Sequence, residues 1–237
     1  MSSPRSSGRS ATSSISPLPV TPFKPIRNTG RRNVIFFGDS ISYGAFVSPH
    51  RVWVTQLSAM VEREFGESFL VINAAVSGNT TRMALERMPD HVQRYGCEIL
   101  CVQFGLNDGN QHYVGNEGLP RVSLEAYRAN LLEIIARGYH VGAQAILLPT
   151  SHPTLRRAQS QPDYIAVTRE IAAVDNRIHL VDMEKKFEEH LAAGRKLEEF
   201  LLKDQVHLSH AGHDLYAEAF APPLTRLLRE LPQPAGR

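Results

Sequence analysis

The sequence predicts an α/β protein with a three-layer α/β/α architecture, in which a parallel sheet lies between two layers of helices. From residue 33 onward, short apolar runs alternate with stretches whose apolar residues recur at helical spacing. Such units join parallel strands by right-handed crossovers and place helices on both faces of the sheet. The composition, with 42% hydrophobic and 21% charged residues in 237, excludes a wholly disordered, collagen-like or disulfide-scaffold protein.

Five apolar runs are predicted to be the strands of this sheet. They are residues 34–37, 69–72, 99–104, 143–148 and 178–181. Their lengths suit buried strands, and the polar segments between them carry the helical pattern.

The connecting segments are predicted to be helices. They are residues 51–65, 80–95, 123–137, 163–174 and 184–202, with a last helix that begins at residue 209 or 210. Because proline lacks a backbone N–H, we expect an interruption near Pro89 and a break of the last helix at Pro222 and Pro223. Gly138 is expected to end the third of these helices.

Residues 1–32 differ from the rest of the chain. They hold eight serines, five prolines and six basic residues but no acidic residue, whereas the other 205 residues have a net charge of −4. A segment with so little to bury is predicted to be a disordered tail, followed by one α/β domain over residues 33–231. Organellar targeting by this basic tail is a weaker alternative, because its prolines prevent a long amphipathic helix.

The two cysteines, Cys97 and Cys101, are predicted to be buried, reduced thiols. Strand residues four apart are separated by about 13 Å, which is too far for a disulfide. No run of 18 apolar residues and no apolar core of a secretory signal occurs in the sequence. We therefore expect a cytoplasmic protein with no integral membrane association. A net charge of only +2 predicts no nucleic acid partner.

Polar residues cluster where strands end. These segments are residues 38–44, 73–79 and 105–108, and a fourth segment, residues 204–207, precedes the last helix. In parallel sheets of this class, ligands bind outside the carboxyl ends of the strands. We therefore expect all four segments to meet at one edge of the sheet.

Together the four segments resemble the SGNH hydrolases, also called GDSL-type esterases and lipases. The Ser, Gly, Asn and His of that name fall on Ser40, Gly78, Asn107 and His207, and the resemblance runs from residue 33 to 228 in the order of the family. It implies a serine hydrolase that cleaves small-molecule carboxylic esters through an acyl-enzyme, with no cofactor and no metal. The absence of a Gly-x-Ser-x-Gly elbow favours a five-stranded, flavodoxin-like parallel sheet over the larger hydrolase fold.

The chemistry of acyl transfer fits the same residues. Ser40 is the candidate nucleophile, and His207 is the candidate base that takes the serine proton and returns it to the leaving group. Asp204 lies three residues before His207, so that one turn of chain can bring its carboxylate to the far nitrogen of the imidazole. The predicted catalytic residues are therefore Ser40, Asp204 and His207.

The tetrahedral intermediate needs hydrogen-bond donors for its oxyanion. The candidates are the backbone N–H groups of Ser40 and Gly78 and the side-chain amide of Asn107. The neighbouring acids Asp39 and Asp108 are expected to bond to loop backbone and to take no part in the chemistry.

Two positions depart from the family pattern. Gln205 stands where the family usually has glycine, and Ser209 stands where asparagine is frequent. We expect Gln205 to affect the size of substrate that is accepted more than catalysis itself.

Short or medium acyl esters are the expected substrates, and several alternatives stay open. A carbohydrate O-acetylesterase, a lysophospholipase or thioesterase, and a non-catalytic acyl- or glycan-binding module would all fit this sequence. A metal site on His207, His210 and His213 is a further alternative, although only the last two could share a helix face.

Specificity is expected to reside in the loops. Residues 109–122 are predicted to form a wall or lid of the pocket. Arg156 and Arg157 are either a solvated pair or a contact for an anionic substrate group. Phe46 and Trp53 are expected either at the mouth of the site or in the core.

Overall fold

The computed structural model describes residues 30–112, 115, 118–156 and 161–232. Its sheet consists of five parallel strands in the order β2-β1-β3-β4-β5. The strands are β1 (Arg32–Gly38), β2 (Phe69–Asn73), β3 (Ile99–Gln103), β4 (Ala145–Pro149) and β5 (Ile178–Val181). This strand order is that of flavodoxin-like proteins, so the predicted fold class is confirmed.

Eight α-helices connect or follow the strands in the described residues. They are α1 (Ser40–Tyr43), α2 (Trp53–Phe65), α3 (Thr81–Met88), α4 (Leu124–His140), α5 (Gln161–Ala172), α6 (Met183–Ala192), α7 (Leu197–Phe200) and α8 (His210–Glu230). Short 3₁₀ turns occupy Pro49–Arg51 and Gly66–Ser68, and a π-helical turn at Pro89–Gln93 follows α3. The predicted interruption at Pro89 is therefore present.

The central strand β1 divides the hydrophobic core into two halves. Val34 and Phe36 point to one face of the sheet and pack with α2, α6 and α8, whereas Ile35 and Phe37 point to the other face and pack with α3, α4 and α5. Successive side chains of a strand alternate between faces, and a sheet covered on both sides buries all of them. All four side chains are fully buried, which fixes the register of β1 between its neighbours.

The expected break of the last helix at Pro222 and Pro223 is wrong. Helix α8 runs without interruption from His210 to Glu230. The backbone bonds that the prolines remove are lost near the exposed Pro222, where water can replace them. Leu224 and Leu227, beyond the prolines, are buried against the sheet and hold the helix in line.

Two other helix ends differ from the prediction. Helix α4 passes Gly138 because this residue lies against the sheet, where an added Cβ atom would come within 2.8 Å of Leu100. The predicted helix over residues 184–202 is split into α6 and α7, because Gly194 between them has a φ of +90°, which ends an α-helix.

Residues 1–29 of the predicted tail lie outside the described residues, as do residues 233–237 at the other end of the chain. Arg32, which the prediction places in the tail, belongs to β1. Cys97 and Cys101 are buried thiols, as expected. Among the described residues, no helix combines the length and the apolar character that crossing a membrane requires.

The connections out of β1 and β3 determine where a site can form. After β1 the chain passes to α2 on one face of the sheet, and after β3 it passes to α4 on the other face. A crevice opens between adjacent strands whose connections leave in opposite directions. The carboxyl ends of β1 and β3 therefore border the expected ligand site.

Candidate active site

Ser40 is presented by the tight turn between β1 and α1. Asp39 caps the helix, because its Oδ1 atom accepts a hydrogen bond from the N–H of Ile41 at 2.9 Å. As the first residue of α1, Ser40 has a backbone N–H that the helix leaves without an acceptor. Beneath the turn, Ser42 donates a hydrogen bond to Gln103 at 2.8 Å, which ties the turn to β3.

Asp204 and His207 share one turn of chain just before α8. An antiparallel bridge between Leu201 and Leu208 closes this turn. The Oδ1 atom of Asp204 accepts hydrogen bonds from the N–H groups of Val206 and His207, both at 3.0 Å. The carboxylate is therefore held by the same backbone that carries the imidazole.

Ser40, His207 and Asp204 form a continuous hydrogen-bonded series. The Nδ1 atom of His207 lies 2.5 Å from Asp204 Oδ2, and its Nε2 atom lies 2.9 Å from Ser40 Oγ. Because a carboxylate can only accept, the proton of the neutral ring lies on Nδ1, and Nε2 is free to accept the Ser40 hydroxyl proton. Sequence positions 167 residues apart are thus brought into contact.

The carboxyl group of Asp204 is held in its ionised form. Partial burial raises its pKa, but hydrogen bonds from the His207 ring and from the N–H groups of His207 and Val206 outweigh that effect. The pKa therefore lies below its usual value, and a negative charge faces the Nδ1–H of His207 near neutral pH.

Gln205, between the aspartate and the histidine, has a φ of +65°. This left-handed conformation disfavours residues with a Cβ atom and suits glycine. It gives a physical reason for the glycine that the family pattern has at this position. The carbonyl oxygen of Gln205 accepts a hydrogen bond from the N–H of Leu155 at 3.2 Å, which fastens the turn to the segment after β4.

Ser40, Gly78, Asn107 and His207 line one cleft of about 360 Å³. The remaining lining residues are Ser77, Met83, Asn110 and Arg121. The cleft lies at the carboxyl ends of β1, β2 and β3, as the sequence predicts. Its walls combine a hydroxyl, an imidazole and amide groups, which is the set of groups that acyl transfer needs.

The candidate oxyanion donors have defined surroundings. Gly78 has a φ of +80°, a conformation that the loop after β2 can adopt easily only with glycine. Asn107 Nδ2 donates to the carbonyl oxygen of Asn79 at 3.0 Å and makes a longer contact of 3.3 Å with Asp39 Oδ2. The amide of Asn107 is thus oriented by the two loops that flank it.

Two arginines, which the sequence analysis missed, hold the loop that carries Gly78. Arg121 donates from Nη1 to the carbonyl oxygen of Gly78 at 2.9 Å. Arg87 donates to the carbonyl oxygens of Ala74 and Gly38 at 2.6 and 2.9 Å, and to Asn79 Oδ1 at 2.5 Å. One guanidinium group thereby joins the loops after β1 and β2.

Burial lowers the pKa of Arg87 to about 10, although the nearby Asp39 raises it. Its guanidinium also lies 4.2 Å from the ring centre of Phe37. The side chain therefore stays charged at neutral pH while packed beneath the site. In sequence it looks like any arginine of a surface helix, so no local signal could have identified it.

Asp108 connects the loops after β2 and β3. Its Oδ1 atom accepts hydrogen bonds from the N–H and the hydroxyl of Thr81, at 2.9 and 2.5 Å. Burial raises the pKa of this carboxyl to about 6, against the opposing effect of those bonds. Asp39 and Asp108 both accept hydrogen bonds from backbone N–H groups, as expected, but Ile41 and Thr81, which donate them, lie in the first turns of α1 and α3 and not in loops.

His152, which follows β4, supports the turn of Asp204 and His207 from inside the protein. Its Nε2 atom lies 2.9 Å from the carbonyl oxygen of Val206, and Nδ1 lies 2.8 Å from the hydroxyl of Tyr216. Because the carbonyl can only accept, Nε2 carries the proton and Tyr216 donates to Nδ1. The rule that drew attention to residues after strands could have found His152.

Several other expectations can be placed. Trp53 is fully buried in the core, whereas Phe46 is exposed beside His207. Of the predicted loop 109–122, residues 113, 114, 116 and 117 lie outside the described residues, as does Arg157.

The three histidines, which all lie among the described residues, do not form a metal site in the structure. His213 is buried and accepts a long hydrogen bond from the N–H of Trp53. No group of three His, Cys, Asp or Glu residues that could hold a metal ion occurs within the part of the chain that is described.

The flavodoxin-like strand order, together with the hydrogen-bonded series Ser40–His207–Asp204 at the carboxyl edge of the sheet, is the arrangement of a small serine hydrolase. The model of the GDSL-like Lipase/Acylhydrolase family matches residues 36–215. The chain belongs to this family, and it is a carboxylic ester hydrolase of the serine type.

Known relatives cover the chain to different extents. An acetylxylan esterase of Geobacillus stearothermophilus is 28% identical over 210 residues, which are 79% of this chain and 91% of that protein. The esterase TesA of Pseudomonas aeruginosa is 25% identical over 122 residues, 52% of this chain and 56% of that protein.

Solved structures share the fold. Axe2, an acetylxylan esterase from Geobacillus stearothermophilus, superposes with a TM-score of 0.67 at 24% identity, over 85% of this chain and 96% of that one. A lipase/acylhydrolase from Enterococcus faecalis gives a TM-score of 0.68 at 24% identity, over 86% of this chain and 100% of that one.

Proposed function

We propose that this hydrolase cleaves small carboxylic esters of short to medium acyl chain through an acyl-enzyme on Ser40. The observation that carries the proposal is the series Ser40–His207–Asp204, with contacts of 2.9 and 2.5 Å. A serine hydroxyl is a weak nucleophile unless a base takes its proton as it attacks. His207 is within hydrogen-bond reach for that task, and Asp204 orients its ring.

The reaction proceeds in two halves. Ser40 Oγ bonds to the carbonyl carbon while its proton passes to His207 Nε2, and the carbonyl electron pair moves onto oxygen. When that pair returns, the bond to the alcohol oxygen breaks, and Nε2 gives its proton to the departing alcohol. Water then repeats the sequence on the acyl group and restores the free serine.

The negative oxygen of the intermediate is assigned to the N–H groups of Ser40 and Gly78 and to Asn107 Nδ2. All three residues line the same cleft. One hydrogen of the Asn107 amide is fixed by Asn79, whereas its contact with Asp39 is long, at 3.3 Å. We assign the hydrogen of this weaker contact to the oxyanion. The loss of one such donor typically costs about 3 kcal/mol of transition-state stabilisation.

Covalent labelling and turnover test this proposal together. A fluorophosphonate should label the wild-type protein at Ser40, as located by mass mapping, and p-nitrophenyl acetate should be hydrolysed. Ser40→Ala should abolish both while the protein stays folded. A folded Ser40→Ala protein that still turns over the ester would contradict the assignment.

A carbohydrate O-acetylesterase is the second candidate within the same chemistry. It is favoured by the 28% identity to an acetylxylan esterase, which extends over 91% of that protein. Acetate release from acetylated xylo-oligosaccharides, compared with release from simple alkyl acetates, separates the two. A preference for the sugar esters would identify the alcohol as a carbohydrate.

We further propose a cytoplasmic location, supported by the two buried thiols, Cys97 and Cys101, which need no oxidising environment. Fractionation of cells that express the full chain tests this, and recovery of the protein in a membrane or secreted fraction would contradict it.

A further inference from the structure

Phe46 is unusual in both conformation and exposure. Its φ of +68° lies in the left-handed region, and its side chain is 79% exposed to solvent. A bulky residue at positive φ is strained, and a large exposed aromatic ring gains little from folding. Neither local backbone preference nor core packing therefore explains a phenylalanine here.

The surroundings of Phe46 connect it to the site. Its ring stands edge-on to the imidazole of His207, with ring centres 5.1 Å apart and planes at 83°. Leu155, itself 44% exposed, follows β4, and its N–H bonds to Gln205 in the turn that carries His207. The exposed apolar side chains of Phe46 and Leu155 thus lie in segments that contact His207 or the turn that carries it.

The proton transfer in the proposed reaction places the alcohol part of the ester on the side of the cleft where His207 and Phe46 lie. In the first half of the reaction, the alcohol oxygen must come within reach of His207 Nε2 to receive its proton. The alcohol part of the ester therefore leaves past the imidazole. The acyl part stays bonded to Ser40 and extends toward the rest of the cleft, which is lined by Asn110 and Arg121 among others.

We propose that Phe46 is a specificity-determining residue that contacts the alcohol part of the ester and selects for apolar, bulky alcohols. The inference rests on the proposed function, because it uses the direction in which His207 returns the proton. An apolar alcohol covers the exposed ring and removes its surface from water, whereas a small alcohol does not reach it.

Three esters test the proposal: ethyl acetate, cyclohexylmethyl acetate and ethyl hexanoate. The first two differ in the alcohol, and the first and third differ in the acyl chain. In Phe46→Gly, the ratio of kcat/KM for cyclohexylmethyl acetate to that for ethyl acetate should fall about tenfold. The ratio for ethyl hexanoate to ethyl acetate should change by less than about twofold. Phe46→Leu should give an intermediate alcohol ratio.

Val174→Ala is the matched control, because Val174 is also exposed, at 69%, and lies on the turn before β5. It should leave both ratios unchanged. The comparison of ratios cancels the intrinsic reactivity of each ester, and thermal unfolding of each variant verifies the fold.

Two results would overturn the proposal. A fall in the ethyl hexanoate ratio would place Phe46 on the acyl side. An equal loss of kcat/KM for all three esters would show that Phe46 positions His207 and does not contact the alcohol part of the substrate. Failure of the proposed function gives a different pattern, since Ser40→Ala would then retain turnover whatever Phe46 does.

Discussion

Arg87 Nη2 donates a hydrogen bond to the carbonyl oxygen of Gly38 at 2.9 Å, which links helix α3 to the strand end that leads into Ser40. The same side chain bonds to Ala74 and Asn79 in the loop that carries Gly78. The segments that carry two of the proposed oxyanion donors, Ser40 and Gly78, are thus held by one partly buried cation.

Arg87→Met should therefore lower kcat about tenfold or more while KM for a small ester changes little, because donors that act on the transition state lose their positions. Arg87→Lys keeps the charge but not the three-way geometry, and should recover only part of the rate. Steady-state kinetics with p-nitrophenyl acetate measures both parameters. A purely structural role would instead appear as a lower Tm with kcat per folded molecule unchanged.

Asp204→Asn should leave the turn intact and remove most of the activity. The Oδ1 atom of asparagine can still accept from Val206 and His207, but an NH₂ group now faces Nδ1 of the ring. The imidazole is then driven to the tautomer with its proton on Nε2, which cannot accept the Ser40 proton. We expect kcat to fall by a factor on the order of 10⁴. A rate within tenfold of wild type in this variant would contradict the proposed role.

Gln205→Gly should stabilise the protein, because glycine adopts a φ of +65° without the penalty that a Cβ atom brings. The penalty is about 1 kcal/mol, and the greater freedom of glycine in the unfolded chain offsets part of it. Gln205→Val, with a β-branched side chain at the same φ, should lower the free energy of unfolding by about 1–2 kcal/mol. Urea unfolding of both variants measures the change in the free energy of unfolding, which should be positive for Gln205→Gly and negative for Gln205→Val. A glycine variant less stable than wild type would contradict the proposed strain at this position.

His213 should make the fold sensitive to mild acid. Burial lowers its pKa from an ordinary 6.5 to about 4, with Asp214 opposing and His210 and His207 adding to the shift. The neutral ring is thus favoured in the folded state, so its contribution to stability is complete above pH 6.5 and is lost as the pH falls toward 4.

The loss amounts to about 3 kcal/mol over that range. His213→Asn keeps an acceptor for the N–H of Trp53 but does not titrate, and the free energy of unfolding of this variant should fall less steeply between pH 6.5 and 4. Chemical denaturation at several pH values decides the point. Parallel pH profiles for the two proteins would show that another group is responsible.

The strands, and the position of the site segments at one edge of the sheet, were predictable because both depend on strong, local patterns in the sequence. Short apolar runs such as residues 34–37 and 99–103 are typical of strands in a sheet covered on both faces, and the polar segments after parallel strands share one edge of the sheet. Asp204 and His207 were recognisable as a pair because three residues of separation suffice to join them.

What the sequence did not reveal depends on distant partners. Arg87 bonds to residues 13 and 49 positions away, and nothing within α3 marks it as different from a solvated arginine. Pro222 and Pro223 predict a break by local rules, but the burial of Leu224 and Leu227 overrides them. The left-handed backbone of Phe46 and Gln205 also has no signature in residue type.

Asp204 and His207 are carried by a single short turn, closed by Leu201 and Leu208 and buttressed by His152. The proposed base and its orienting carboxylate therefore lie in one closed turn, whereas the proposed nucleophile lies in a separate turn after β1. A displacement of this turn relative to β1 would therefore break the contact between Ser40 and His207 and leave the bond between His207 and Asp204 intact.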